Sequence, residues 1–198
     1  SKVPLSAIAT QNIIAKVLKE NDLPEGIFTL IIGKGSTVGE RILNDKRVAM
    51  VSVTGSTRVG KHAAEVVSAR FGKTILELGG NNAIIISPDA DFKIAIPAVV
   101  FGAVGTAGQR CTSTRRLIIH ESIYNRVKDS LLKAYNSLKI GNPLDQKNHM
   151  GPLIDKNAVN DFLNALRRVK KEGGKIIFGG DVLTGKGYES GCYVSPAI

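Results

Sequence analysis

The sequence predicts an α/β fold: a parallel sheet flanked by helices, followed by a second α/β unit. Three observations carry that prediction. Short apolar runs rich in β-branched residues alternate with segments of helical periodicity. Glycine turns close several of the runs, at Gly33, Gly55 and Gly79-Gly80. Helical stretches separate successive strands, as parallel pairing requires. A 43% hydrophobic share is enough for a real core, and a 22% charged share is ordinary for a globular chain.

The elements follow in order. Leu5, Ile8, Ala9, Ile13, Val17 and Leu18 recur mostly three or four apart and predict a helix over 5–20. Residues 28–32, bounded by Gly26 and Gly33, read as a buried strand. A short helix follows over 37–43, then a strand over 48–53. Residues 57–71 form a helix with Val59, Ala63, Val66 and Val67 on its apolar face. A third strand, 74–78, carries one carboxylate, Glu77, in an otherwise apolar stretch. Gly79-Gly80 marks a boundary between domains 1–79 and 80–198. Beyond it come a strand over 83–86 and a helix over 91–105 that Pro97 should kink or shorten. A strand at 117–119 precedes an amphipathic helix marked by Ile123, Val127, Leu131, Tyr135 and Leu138. Asp155 caps a further helix through Val169, and 175–178 reads as a final strand.

Several function classes are disfavoured. The net charge of +10 is spread along the chain: 11 Lys and Arg against 7 Asp and Glu in residues 1–79, and 16 against 10 in the rest. The short basic run Arg167 to Lys171 is a solvated helix face, so no nucleic-acid partner is expected. With 5% aromatics and no Trp there is no stacking platform for single strands. Apolar runs fall far short of the ~20 residues a membrane helix needs. Cys111, Cys192 and three scattered His residues give no metal spacing, and so few cysteines suit a reducing compartment.

Two glycine turns, Gly33-Lys-Gly35-Ser-Thr-Val-Gly39 and Gly55-Ser-Thr-Arg-Val-Gly60, each follow a strand and precede a helix. Such turns let the backbone approach a ligand while free N–H groups attract phosphate. Neither is a clean GxGxxG or a P-loop, so ordinary strand–helix turns and a dinucleotide site both stay open. Cys111 lies in a polar loop with Arg110 before it and Arg115-Arg116 after it, which fits a reactive thiol. A small buried hydrophobe fits the same residue. A lone Glu77 in a buried strand must be paired, hydrogen-bonded or protonated, and a desolvated carboxyl can serve as a base near neutral pH.

Val53-Thr-Gly-Ser-Thr-Arg-Val-Gly60, Glu77-Leu-Gly-Gly80 and Gly108-Gln-Arg-Cys111, in that order, resemble the aldehyde dehydrogenase superfamily. Gly141-Asn-Pro-Leu-Asp145 and Gly151-Pro-Leu153 extend the resemblance over nearly the whole chain. Gly80-Asn-Asn-Ala-Ile84, Ala103 to Thr112 and Arg115-Arg116 look most like the antiquitin branch, which oxidises α-aminoadipic semialdehyde, an intermediate of lysine breakdown. The resemblance implies the C-terminal part of a Rossmann-like NAD(P)-binding domain over 1–79. It implies the N-terminal part of a catalytic domain over 80–198, both incomplete. Cys111 matches the nucleophile, its N–H part of an oxyanion hole, and Glu77 the base that hydrolyses the thioester. Relatives that pass the acyl group to coenzyme A usually lack this carboxylate, so hydrolysis is expected.

Gly55 and Ser56 match contacts to the cofactor pyrophosphate, Gly35 and Gly39 the adenosine side, and Leu78 a carbonyl facing the nicotinamide. Arg110 matches the holder of the substrate carboxylate, for which a guanidinium fork is suited. The implied cofactor is NAD, with NADP open because Ser1 falls near the position that discriminates them. The implied partners are a small aldehyde and further copies of the chain in a full-length dimer or tetramer. No metal and no membrane are expected, and the implied location is cytoplasmic, or mitochondrial in a eukaryote. The alternative for these 198 residues is a catalytically silent nucleotide-binding or structural fragment.

Overall fold

The computed structural model describes residues 2–198, which fall into two compact units meeting in sequence at Gly79 and Gly80. In the first unit, α1 (Pro4–Glu20) begins with a proline at its first turn, where a missing N–H costs nothing. A π-helical turn, Gly35–Gly39, runs directly into α2 (Glu40–Asn44). Then β1 (Met50–Thr54), α3 (Thr57–Ala69) and β2 (Lys73–Glu77) form a β-α-β unit. The strands pair in parallel, with Val51 opposite Thr74 and Thr54 opposite Glu77. The core is small and aliphatic: Leu43, Val51, Ala63 and Val67 close on one another, with Val48, Val53 and Val66 at the margin. Ala63 and Val67 are one turn apart, so α3 buries a single stripe on the two strands.

Residues 28–32 are not the buried strand that their composition predicts. No ladder forms there, and Phe28, Ile31 and Ile32 are exposed by half or more. Phe28 has extended backbone angles, but its carbonyl accepts from the Gln11 side chain at 3.0 Å rather than from a neighbouring strand. Composition favours an extended chain, whereas a strand exists only where another backbone pairs with it.

The second unit repeats the β-α-β plan. β3 (Asn82–Ile86) and β4 (Thr114–Ile119) pair in parallel, and α4 (Phe92–Val104) lies between them in sequence. Register shifts at the start: Asn82 pairs with Thr114 but Ala83 with Arg116, leaving Arg115 bulged out. Asp91 caps α4 by accepting the Lys93 N–H at 2.8 Å. Pro97 does not shorten this helix, which continues to Val104; a ring one turn inside the N-terminus removes only the bond to Lys93. α5 (Tyr124–Asn136) presents Val127, Leu131 and Tyr135 to the core, and Ile86, Val99 and Ile123 meet the first two. α6 (Lys156–Lys171) starts at Asp155, whose carboxylate accepts the Ala158 N–H at 2.9 Å.

Residues 175–178 form no regular strand. Ile198 and Phe178 exchange backbone bonds, Ser195 donates to Asp181, and Leu183 donates to Tyr193, so the segment runs against the C-terminal residues. Gly179 and Gly180 interrupt the ladder at φ 58° and 94°, and a Cβ on Gly179 would strike the Pro196 carbonyl. Among the described residues no helix is long and apolar enough to cross a membrane.

Candidate active site

In the first unit the residues of interest gather at the C-terminal end of the β1–β2 pair, where open parallel sheets place their ligands. Gly55 follows β1 and donates its N–H to the Glu77 carbonyl at 3.0 Å. Ser56 is the N-cap of α3, its hydroxyl accepting the Val59 N–H at 3.3 Å. The first turn of the helix keeps N–H groups that helix geometry leaves without intrahelical acceptors. Leu78 follows Glu77 and rests its isobutyl group on Gly60, where a Cβ would run into both of its methyls. One turn therefore juxtaposes Gly55, Ser56, Glu77 and Leu78. Gly35 and Gly39 sit apart, in the π turn before α2, with open space where a Cβ would point on each. Glu40 of α2 meets His62 of α3 at 2.8 Å and ties that turn to the same helix.

Glu77 is exposed, not buried among apolar neighbours as its strand context predicts. Successive side chains of β2 point to opposite faces of the sheet, and the face that carries Lys73, Ile75 and Glu77 is uncovered. The burial on which the sequence argument for a desolvated base rested is absent from this chain.

In the second unit, Cys111 occupies an exposed turn between α4 and β4. The chain enters it through a 3₁₀ turn, Gly105–Gly108, in which Thr106 (φ 55°), Ala107 (φ 53°) and Gly108 (φ 68°) are successively left-handed. Non-glycine residues in that region cost of order 1–3 kcal/mol each and persist only where neighbours hold them. Here they are held. Arg110 Nε donates to Thr106 Oγ1 at 3.0 Å, Arg115 to the Gly108 carbonyl at 2.9 Å, and the Gln109 N–H to the Thr106 carbonyl at 3.1 Å. The Gln109 side chain also accepts the Ile154 N–H at 2.9 Å, binding the turn to the segment before α6.

The three arginines flanking Cys111 are all engaged. Arg110 also stacks over the Phe101 ring at 4.7 Å, and Arg116 donates twice to the Asn81 carbonyl, at 3.1 and 2.6 Å. Arg110 borders a mainly apolar cleft of about 490 Å³ with Phe101, Thr106, Leu138 and His149.

Two residues to which the sequence reading gave no role complete the turn. Ser113, 1% exposed, accepts the Arg110 N–H with its hydroxyl at 3.1 Å and donates its own N–H to the Arg110 carbonyl at 3.2 Å. Asn82 donates to the carbonyls of Cys111 and Ser113, at 2.7 and 3.0 Å. The signal for Asn82 was a polar residue at the start of an apolar run, inside a motif noted for its likeness and not for its chemistry. Among the described residues no cluster of His, Cys, Asp and Glu could hold a metal.

The aldehyde dehydrogenase family model matches residues 1–198. The chain belongs to the aldehyde dehydrogenase family. Within it, the chain is 49% identical to mouse alpha-aminoadipic semialdehyde dehydrogenase, over 98% of its own length and 35% of that protein's. It is 47% identical to aldehyde dehydrogenase family 7 member B4 of Arabidopsis thaliana, over 98% of its length and 37% of the relative's. Among solved structures it is similar to the glyceraldehyde-3-phosphate dehydrogenase of Methanocaldococcus jannaschii complexed with NADP, at TM-score 0.89 and 34% identity, over 99% of this chain and 41% of that one. Betaine aldehyde dehydrogenase of Staphylococcus aureus, solved with NAD+, aligns at TM-score 0.86 and 32% identity, over 92% and 36%. The chain thus spans between a third and about two fifths of the relatives it matches.

Proposed function

We propose that the protein is an NAD(P)-dependent aldehyde dehydrogenase that oxidises a semialdehyde, such as α-aminoadipic semialdehyde, to its acid. The observation that carries this reading is the construction of the Cys111 turn. The Arg110 carbonyl is drawn inward by the Ser113 N–H. Across a planar trans peptide the Cys111 N–H points away from that bond, and Cys111 itself is exposed. An exposed nucleophile next to a backbone donor is what covalent capture of a carbonyl needs. Sulfur attacks the carbon, and the N–H stabilises the charge growing on oxygen.

The residues at the end of β1–β2 fit a dinucleotide. Open space over Gly35 and Gly39 admits close backbone approach, and Ser56 with the first turn of α3 offers donors to a pyrophosphate. When bound, the nicotinamide supplies the acceptor for the hydride that leaves the captured carbon. Leu78 is assigned to fix the face of that ring through its carbonyl, Arg110 to receive the substrate carboxylate, and Glu77 to take a proton from the water that cleaves the Cys111 thioester. We further propose assembly into homo-oligomers and a cytoplasmic or mitochondrial location.

The test uses the intact protein, NAD+ and the semialdehyde. Cys111→Ala should abolish NADH formation while cofactor binding persists. Glu77→Gln should slow thioester hydrolysis by about 10²–10⁴-fold, the usual contribution of a general base, and leave a burst of one NADH per site. Loss of burst and cofactor binding together in Glu77→Gln would return Glu77 to a structural role. Full turnover by Cys111→Ala would end the reading.

A further inference from the structure

Resting on the assignment of Cys111 as nucleophile, we propose that Asn82 is a positioning residue that sets the aim of the Cys111 turn. Both of its partners are carbonyl oxygens, at Cys111 and Ser113, and a carbonyl only accepts. The amide nitrogen must therefore face them, and its two protons are both used. Asn82 can reach them because it stands at the first position of β3, on the register shift opposite Thr114. Such irregularities re-aim side chains at sheet ends.

The turn accounts for its own polar groups in a particular way. Ser113 takes up both backbone groups of Arg110, and Asn82 takes up the carbonyls of Cys111 and Ser113. Among the described residues no acceptor is found for the Cys111 N–H. Ser113 closes the turn from inside, while Asn82 fixes its rotation relative to β3. Without Asn82 the turn stays closed and keeps its tie through Gln109 to Ile154, but its Cys111–Ser113 side loses its tie to β3, and the aim of the Cys111 thiol is lost with it.

A brace that merely supported folding would change how many molecules are competent; a positioning residue changes how fast each one reacts. Pre-steady-state NADH formation separates the two in intact protein carrying Glu77→Gln, where burst amplitude counts sites and burst rate reports capture and oxidation. Adding Asn82→Ala should lower the burst rate by about 10- to 100-fold, the scale expected for misplacing a reacting atom by about 1 Å, with amplitude and NAD+ affinity unchanged within about twofold. Asn82→Asp, similar in shape but with oxygens facing both carbonyls, is measured alongside, so that a folding defect in one variant does not decide the outcome. It should lose at least as much rate. A fall in amplitude at unchanged rate, or no change in either, overturns the proposal. Absence of a burst in Glu77→Gln alone bears on Glu77 and not on Asn82. Asn82→Ala is then read in the otherwise unchanged protein, where an unchanged first-turnover rate of NADH formation overturns the proposal. Full turnover by Cys111→Ala overturns the assignment on which it rests.

Discussion

Asp45, at the entrance to β1, accepts the Arg47 guanidinium at 2.7 and 3.0 Å and the Arg47 backbone N–H at 3.0 Å. The side-chain bond first, and the backbone bond after it, hold its carboxyl well below the usual carboxylate range. A pKa depressed by folding stabilises the fold above the unfolded value, and that contribution is lost as pH falls through the folded value. Asp45→Asn should therefore be less stable than the parent at neutral pH by a constant margin. The margin should close only in strong acid, below the ordinary carboxylate pKa. Urea titrations at a series of pH values test this, and a margin that widened on acidification would refute it. In sequence, Cys111 stood out by its flanks. Glu77 stood out for a burial it does not have here, and Asn82 did not stand out, because an amide's role depends on which carbonyls it meets.

At the scale of elements, α3 and β2 meet where Gly60 lies under Leu78. Gly60 is buried, and its missing side chain lets the helix close on the strand end that carries Glu77 and Leu78. Gly60→Ala gains helix propensity but pushes the half-buried Leu78 side chain off its seat, an overpacking that costs at most about 1–3 kcal/mol. A lower urea midpoint with an unchanged slope is the expected stability result. Weaker NAD+ binding should accompany it if Leu78 orients the nicotinamide. A Gly60→Ala variant as stable as the parent would mean that Leu78 simply turns aside. Elements with strong local periodicity, such as α3, α5 and α6, fall within a few residues of where the sequence puts them. Residues 28–32 and 175–178 do not become strands, since ladder partners are long-range and no local pattern specifies them.

At the scale of the whole molecule, much apolar surface is uncovered. Ile31 is 66% exposed, and Ile85 and Ile118, register partners on β3 and β4, are 76% and 53% exposed. Uncovered apolar faces and single-sided strands recruit partners. The chain should associate with rising concentration in sedimentation experiments. Ile31→Lys together with Ile85→Lys should shift it toward monomer. A monodisperse monomer at every concentration would show instead that these faces recruit no partner.

By itself the sequence determined the α/β class, the main helices and the Asp155 cap of α6, the family, and the candidates Cys111 and Glu77. These rest on local periodicity, on residue chemistry and on motif order, all of which are written along the chain. The tertiary structure decided which apolar runs become strands, that Glu77 is exposed, and that Asn82 and Ser113 set the Cys111 turn. Burial and hydrogen bonding are relations between residues distant in sequence, so they exist only once the chain has folded.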